Sequence, residues 1–294
     1  MKAFAAFILR GPFQAATVMV AASLLPLLSI FAAGALALVT LRQGLQQGAM
    51  VAAIAGAILF ALLFAAAGTG EPALRLVLEQ WLPVLVLAEW LRRTVSLSST
   101  LLLWLGLGAL AVVGFHLVIP DPAAHWEQVV EAFLAAAGAE PGLGGEAEAL
   151  LQEDLLPLMT GLWAANLMLI VLAGLLIGRA LQALLYNPGG LRAEFHGLDL
   201  GREAGVVALA LWVGGLLAGP GWVADLALIT GAAFVVQAIA FAHAVAAARG
   251  WSGAWLVLVY VAAPLLFRPM ALVGIGDALF QWRRRLTGGQ PPAE

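Results

Sequence analysis

Cysteine is absent from this sequence, and charged residues are scarce. Without cysteine there can be no disulfide, no catalytic thiol and no cysteine-held iron–sulfur cluster. Charged residues make up 11% of the chain, whereas soluble domains carry roughly 25%, so a folded form could not cover its surface in water. The four histidines are scattered, and neither HExxH nor GxxxxGK[ST] occurs. We therefore expect no catalytic activity, no metal ion, no cofactor and no nucleic-acid partner.

The sequence is instead rich in long apolar runs. Hydrophobic residues make up 63% of the chain, and its mean hydropathy is +0.99. Runs near or above about 18 residues recur along the whole length, as in helices that cross a bilayer, and the strand-like alternation of membrane barrels does not occur. The sequence predicts an all-α, polytopic transmembrane helical bundle of about eight to ten membrane segments, with short broken hairpins at both ends. The bundle would be a single domain over residues 1–286, followed by a disordered tail at 287–294.

The positions of the 14 basic residues indicate how the bundle is oriented. No Lys or Arg lies between Arg93 and Arg179, an interval that holds eight acidic residues. If both terminal apolar stretches are hairpins, 12 basic residues lie on one side and only Arg75 and Arg268 on the other. If both stretches are single long helices, the split is nearly even. Basic residues concentrate on the cytoplasmic side of membrane proteins, which favours the hairpins.

This distribution predicts a multi-pass protein in the lipid bilayer of a bacterial inner membrane, with both termini in the cytoplasm. Residues 120–155 would then be an acidic extracytoplasmic insertion, and the loop at 186–203 would be cytoplasmic. Asp121 followed by Pro122 is typical of a helix start, and apolar residues recur after it at helical spacing. We predict an amphipathic helix over residues 122–137 on the membrane surface, with a flexible turn at 140–145.

Few polar side chains lie away from the predicted membrane surfaces, and those few are candidates for binding a small molecule. Glu79, Asn166 and Gln237 would contact the ligand, while Trp81 and Trp163 would supply apolar walls. The other interpretation is structural, with Asn166 and Gln237 forming hydrogen bonds between helices and Glu79 in an interfacial ion pair. No acid is placed convincingly at the midplane, as ion-coupled carriers require. Passive capture is therefore favoured over secondary active transport.

A polar island, defined as residues 186–203, separates two apolar blocks. It opens with the turn sequence NPGG at 187–190, and it is longer than the roughly 2–8 residues of a plain connection between helices. One interpretation is that the island only stops a long helix and turns the chain. The other is that it docks a partner protein, through Tyr186, Asn187, Gly189, Gly190, Arg192, Phe195 and His196.

Several short motifs, spread over nearly the whole chain, carry a family resemblance. They are ALLYNPGG at 183–190 with EFH at 194–196, LRQG at 41–44, and GDA at 276–278 before the three arginines at 283–285. In these the chain resembles the YybS-like family of uncharacterised bacterial membrane proteins. That family is usually grouped with the substrate-capture subunits of energy-coupling-factor transporters. The resemblance implies a helical bundle with a small-molecule pocket that opens outward, and it implies membrane and ATPase subunits as partners.

Together these features predict a transport-related substrate-capture subunit that acts with partner subunits on a small molecule. The alternative is a non-transporting scaffold or regulatory protein, which would bind other proteins through its outer acidic helix and its cytoplasmic loop. A third possibility is lipid handling through the tryptophan-rich outer region.

Overall fold

In a computed structural model that describes residues 1–25, 28–136, 138 and 150–286, the elements are helices and turns, with no strand among those residues. The all-α prediction is confirmed. An apolar chain in a bilayer adopts helices because each helix satisfies its backbone N–H and C=O groups internally, where no water is present to do so. Residues 139–149 and 287–294 lie outside the described chain. The predicted flexible turn at 140–145 and the predicted disordered tail at 287–294 therefore lie outside it too.

The helices follow one another with short connections. In chain order they are α1 (Lys2–Ile8), α2 (Pro12–Ser23), α3 (Ser29–Gln43), α4 (Leu45–Ala67), α5 (Glu71–Leu76), α6 (Leu82–Thr94), α7 (Leu97–Val118), α8 (Pro122–Ala136), α9 (Met159–Tyr186), α10 (Gly190–His196), α11 (Gly201–Ala218), α12 (Trp222–Ala248), α13 (Ala254–Leu265), α14 (Phe267–Phe280) and α15 (Trp282–Leu286). A π-helical turn (Val77–Trp81) joins α5 to α6, and short π and 3-10 segments (Leu150–Leu155 and Leu156–Leu158) lead into α9.

Five helical stretches in the described chain are long and apolar enough to cross a membrane, and they make the chain an integral membrane protein. They are α4, α7, Leu150–Tyr186, α11 and α12. The number rises to seven if each of two bent pairs, α1 with α2 and α13 with α14, counts as one span. The sequence led us to expect eight to ten segments. The difference arises because helices such as α3, with 15 residues, rise only about 22 Å against a hydrocarbon core of about 30 Å.

Short, sharply bent helix pairs occur at both ends of the chain. The pair at the C-terminal end coincides with the predicted hairpin over residues 254–282, whereas the N-terminal hairpin was predicted over residues 13–41 and the observed bend lies earlier. The pair α1 and α2 is bent by 114°, and the pair α13 and α14 by 113°. The second bend lies at Leu266, between Pro264 inside α13 and Pro269 in the first turn of α14. Proline is tolerated in a first turn but breaks a helix interior, which explains why the chain bends here. At the other end α2 and α3 pack together, and Pro26 between them lies outside the described residues.

The described chain divides into two compact units. Unit 1 contains Met1–Leu103 and Leu169–Leu198. Its core is α3, which is buried continuously from Ala32 to Leu41 and packs against α2, α4 and α6. The second half of α9 also lies against α3, and Gly34, Gly174 and Gly178 allow the close approach, since a Cβ at any of them would collide with the other helix. The prediction of a single domain over residues 1–286 stays a prediction.

In the described chain, unit 2 contains residues of Trp104–Met168 and the stretch 199–286. Its core is α12, which is buried almost without interruption from Ile229 to Ala238 and packs against α11, α13 and α14. The predicted outer helix is present as α8, and Asp121 caps it by accepting a hydrogen bond of 3.0 Å from the backbone N–H of Ala124. That helix begins as the Asp-Pro signal predicts; its position on a membrane surface stays a prediction.

Candidate functional site

The first candidate site is the π-helical turn between α5 and α6 in unit 1. Pro83, the second residue of α6, has no backbone N–H, and in an ordinary helix its ring would collide with the carbonyl group of residue 79. The chain widens before it, so that the backbone N–H of Leu82 donates to Val77 O, five residues back rather than four. Single π-helical turns of this kind occur frequently at functional sites.

The turn buries two polar groups that have no hydrogen-bond partner. Gln80 is 5% exposed and Trp81 is fully buried, and within the described chain neither Gln80 Oε1 nor Trp81 Nε1 has a partner. A buried polar group without a partner costs about 1–3 kcal/mol. Gly56 on α4 allows close packing over the turn, since a Cβ there would lie 3.1 Å from Val77 Cγ2. Gln80 Oε1 would need a hydrogen-bond donor and Trp81 Nε1 an acceptor.

The sequence-predicted ligand residues are divided between the two units. Glu79 and Trp81 belong to the π-helical turn of unit 1, where Glu79 is half-buried. Trp163, Asn166 and Gln237 belong to unit 2 and lie in different surroundings. Trp163 is 46% exposed beside Trp126, with ring centroids 5.9 Å apart, and Asn166 lies on an exposed face of α9.

Gln237 is fully buried and belongs to a hydrogen-bonded cluster in unit 2. Its Oε1 accepts from the backbone N–H of Leu200 at 2.9 Å, and its Nε2 donates to Asp277 Oδ2 at 3.2 Å. Asp277 also accepts from the backbone N–H and from Nη2 of Arg283, both at 2.9 Å. The cluster therefore ties α12, α14, α15 and the end of the polar island together. These contacts correspond to the structural interpretation of Gln237 that the sequence left open.

One buried pair in unit 2 was not predicted from the sequence. His116 Nε2 lies 2.7 Å from Asp225 Oδ2, and the backbone N–H of Gly161 donates to Asp225 Oδ1 at 3.0 Å. Asp225 is fully buried, and a carboxyl group is costly to bury without partners. Its contacts with His116 and with the backbone of Gly161 offset that cost. The two residues are 109 positions apart. The signal that the sequence offers is that His116 lies near the end of one long apolar run and Asp225 near the start of another.

The second candidate site is a basic cavity of about 380 Å³ at one end of unit 1, here called the arginine pocket. Three helices that pack in unit 1 end around it: α3 brings Arg42, α6 brings Arg92, and α9 brings Arg179. Its lining residues are Leu41, Arg42, Leu91, Arg92, Val95, Arg179, Gln182, Tyr186, Asn187 and Glu194. Cations near helix C-termini offset the negative end of the helix dipole.

Ion pairs and one stacked ring hold the arginines of this pocket in place. Arg179 donates to Glu194 through Nε at 2.9 Å and through Nη2. Arg92 donates in the same two-point manner to Glu89, at 2.8 Å for both bonds. The guanidinium of Arg42 lies over the ring of Tyr186, 3.7 Å from its centroid. Such two-point pairs and stacking are the contacts for which arginine is better suited than lysine.

The polar island contributes to the arginine pocket and is itself an ordered element. Helix α9 ends at Tyr186, Gly189 adopts a left-handed conformation with φ of +91°, and α10 begins at Gly190. The NPGG sequence therefore stops the long helix as its turn signal predicts. Of the seven residues predicted to dock a partner, Tyr186 and Asn187 line the pocket, Arg192 is exposed, and Phe195 and His196 are half-buried.

No family model, curated protein or solved structure matches the chain. Within the described residues, no group of three or more His, Asp or Glu side chains is placed to hold a metal ion.

Proposed function

We propose that this protein is a transport-related substrate-capture subunit of a bacterial inner membrane, acting with partner subunits and having no catalytic activity of its own. The observation that carries the proposal is the π-helical turn at Val77–Trp81. It holds a polar pair, Gln80 Oε1 and Trp81 Nε1, in the core of a membrane-embedded unit without partners. Native proteins rarely leave such groups unsatisfied unless a ligand or an ordered water completes them. A small, partly apolar molecule with a donor and an acceptor fits this chemistry.

The island supplies the surface for partner subunits in this proposal. The ion pair between Arg179 and Glu194 fixes α10 to the end of α9, so the exposed side chain of Arg192 is presented on a defined helix rather than on a loose loop. Pre-ordering a surface lowers the entropy cost of binding. Membership of the YybS-like family, with membrane and ATPase subunits as partners, is part of the same proposal.

The proposed orientation places the island and both termini in the cytoplasm. It is supported by the arginine pocket, because Arg42, Arg92 and Arg179 come from three separate segments and yet lie at one end of unit 1. A face where basic residues from several segments collect is the expected cytoplasmic face.

The experiment measures thermal unfolding of the purified chain while vitamins and their precursors are screened. We expect at least one compound to raise the melting temperature of the wild-type protein. Trp81→Phe, which removes the indole N–H but keeps an aromatic ring, should abolish that rise. Trp255→Phe, at an exposed tryptophan of unit 2, is the matched control and should leave the rise unchanged.

The alternative function, a non-transporting scaffold or regulatory protein, predicts another result. No compound would raise the melting temperature, and Trp81→Phe would stabilise the apo protein by removing an unsatisfied group. Other membrane proteins would still co-purify in mild detergent, because the island would remain the docking surface. That combination would contradict substrate capture.

A further inference from the structure

We propose that the arginine pocket binds a phosphate group attached to a partly apolar molecule. Two sources carry this chemistry, namely the headgroup of an acidic phospholipid and a soluble phosphorylated metabolite. The site is independent of the π-helical turn, since none of the residues of that turn lines the pocket.

The balance of charge favours an anion. Four arginines belong to the pocket and its ion pairs, the fourth being Arg93, whose Nε lies 2.6 Å from Glu89 Oε1. Within the described chain the carboxylates that pair with them are Glu89 and Glu194, which leaves a net charge of +2. The ends of α3, α6 and α9 direct backbone carbonyl groups to the same place, and part of the positive charge offsets them. A bound phosphate would neutralise the rest.

Arginine side chains from three helices supply hydrogen-bond donors to the pocket. Within the described chain no ion pair joins Arg42 to a carboxylate, and its guanidinium carbon lies over the Tyr186 ring, 3.7 Å from the centroid. Arg92 and Arg179 use Nε and Nη2 for their glutamates, which leaves Nη1 of each out of those pairs. Three guanidinium groups on three different helices can share the several oxygens of a phosphate, whereas a carboxylate offers two.

Three aliphatic residues, Leu41, Leu91 and Val95, form an apolar part of the pocket wall, and the backbone of one of them is strained. Leu41 and Leu91 are buried. Val95 ends α6 in a left-handed conformation, with φ of 50° and ψ of 33°, and its side chain is 68% exposed. Glycine or asparagine is usual at this position, and a β-branched residue here is a genuine outlier. Backbone strain of this kind clusters at ligand sites, and the isopropyl group extends the apolar wall beside the arginines.

The experiment compares two probes on the full chain in a neutral detergent. Native mass spectrometry measures the affinity for phosphatidylglycerol, with phosphatidylcholine as the zwitterionic reference. Thermal unfolding measures protection by inorganic phosphate, with sodium chloride at equal ionic strength as the reference. Protection by phosphate without selectivity for phosphatidylglycerol identifies a soluble phosphorylated ligand. Selectivity for phosphatidylglycerol without protection by phosphate identifies the lipid headgroup.

Two matched pairs of variants test the site. Arg42→Gln should weaken the binding that is observed by about tenfold or more, since hydrogen bonds to charged groups are the stronger kind. Arg202→Gln removes an exposed guanidinium outside the pocket lining and should leave the binding unchanged. Val95→Asp adds a negative charge beside the arginines, whereas Val95→Asn makes the same change of shape without charge. We expect binding to be lost only in Val95→Asp.

Three results would overturn the proposal. One is that neither probe is favoured over its reference. Another is that Arg202→Gln weakens binding as much as Arg42→Gln, which would indicate a diffuse electrostatic effect. The third is that Val95→Asp and Val95→Asn bind alike; this comparison remains decisive if Arg42→Gln fails to fold.

Discussion

Asp277 is the residue on which the hydrogen-bonded cluster of unit 2 depends. It is 3% exposed and accepts hydrogen bonds from Gln237 and from Arg283. Asp277→Asn would remove the buried carboxylate to which Nη2 of Arg283 donates. We expect the free energy of unfolding to fall by about 3 kcal/mol, the cost of breaking a buried ion pair. Glu203→Gln, an exposed change on α11 of the same unit, should alter it by less than about 0.5 kcal/mol.

Reversible unfolding in mixed micelles, followed by circular dichroism, would measure both variants. Equal stability of Asp277→Asn and the wild-type protein would mean that the cluster contributes nothing net to the fold.

At this scale the sequence indicated which residues are unusual but not which residues they meet. Asn166 and Gln237 were singled out as polar residues away from the membrane surfaces, whereas His116 and Asp225 were not singled out. Gln237 has its partners at Leu200 and Asp277, and His116 has its partner at Asp225. Hydropathy reports depth in the membrane and contains no information on lateral neighbours. Pairings over 109 positions therefore require the packed structure.

Among the elements, the contact of α3 with α9 depends most closely on single atoms. A Cβ at Gly178 would lie 2.7 Å from Gly34 O and 2.8 Å from Leu38 N, both backbone atoms. Gly178→Ala would therefore force the two helices apart, and we expect a loss of about 1–3 kcal/mol in the free energy of unfolding. Small residues at such positions allow helices in membranes to approach each other closely.

Gly114→Ala is the matched control for this element. Nothing lies within 4 Å of a Cβ at Gly114, so the change should be neutral or stabilise α7 by up to about 1 kcal/mol. The same unfolding measurement compares the two variants, and an equal effect of both would show that α3 and α9 do not depend on their close approach.

The positions of most helices could be predicted, because long apolar runs and turn residues mark them. The Asp-Pro start of α8 and the NPGG stop of α9 appear where expected. The π-helical turn at Val77–Trp81 could not be predicted from the sequence. Pro83 indicates a disturbance in a helix, yet a kink, a break and a widened turn are all compatible with one proline. Which of these occurs depends on how the neighbouring helices pack around it.

For the molecule as a whole, the proposed orientation can be tested by chemical labelling, because the chain has no cysteine of its own. Gln128→Cys on α8 and Arg192→Cys on α10 both replace exposed side chains. We expect an impermeant maleimide to label Gln128→Cys in intact cells and Arg192→Cys only after lysis. Leu172→Cys, at a buried position of α9, should stay unlabelled in both. Labelling of Arg192→Cys in intact cells would reverse the orientation.

The arginine pocket shows what whole-chain reasoning could and could not predict. The distribution of basic residues was sufficient to assign Arg42, Arg92 and Arg179 to one side. It could not show that they surround a single cavity with Tyr186 and Glu194. Assigning a residue to one side of the membrane does not give its lateral position on that side. The candidate ligand residues were chosen by depth for the same reason, and they lie in two units rather than one.

The residues of the arginine pocket are also synthesised at different times. Arg179 is translated about 90 residues after Arg92, roughly 5–20 seconds later at ordinary ribosomal speeds of 5–20 residues per second. During that delay the site is half-built, yet Glu89 already has Arg92 and Arg93 within one turn of its own helix. Arg179 waits only 15 residues for Glu194. Each acidic residue therefore has a basic partner close to it in the sequence. The nascent chain can form these ion pairs before the rest of the pocket has been synthesised.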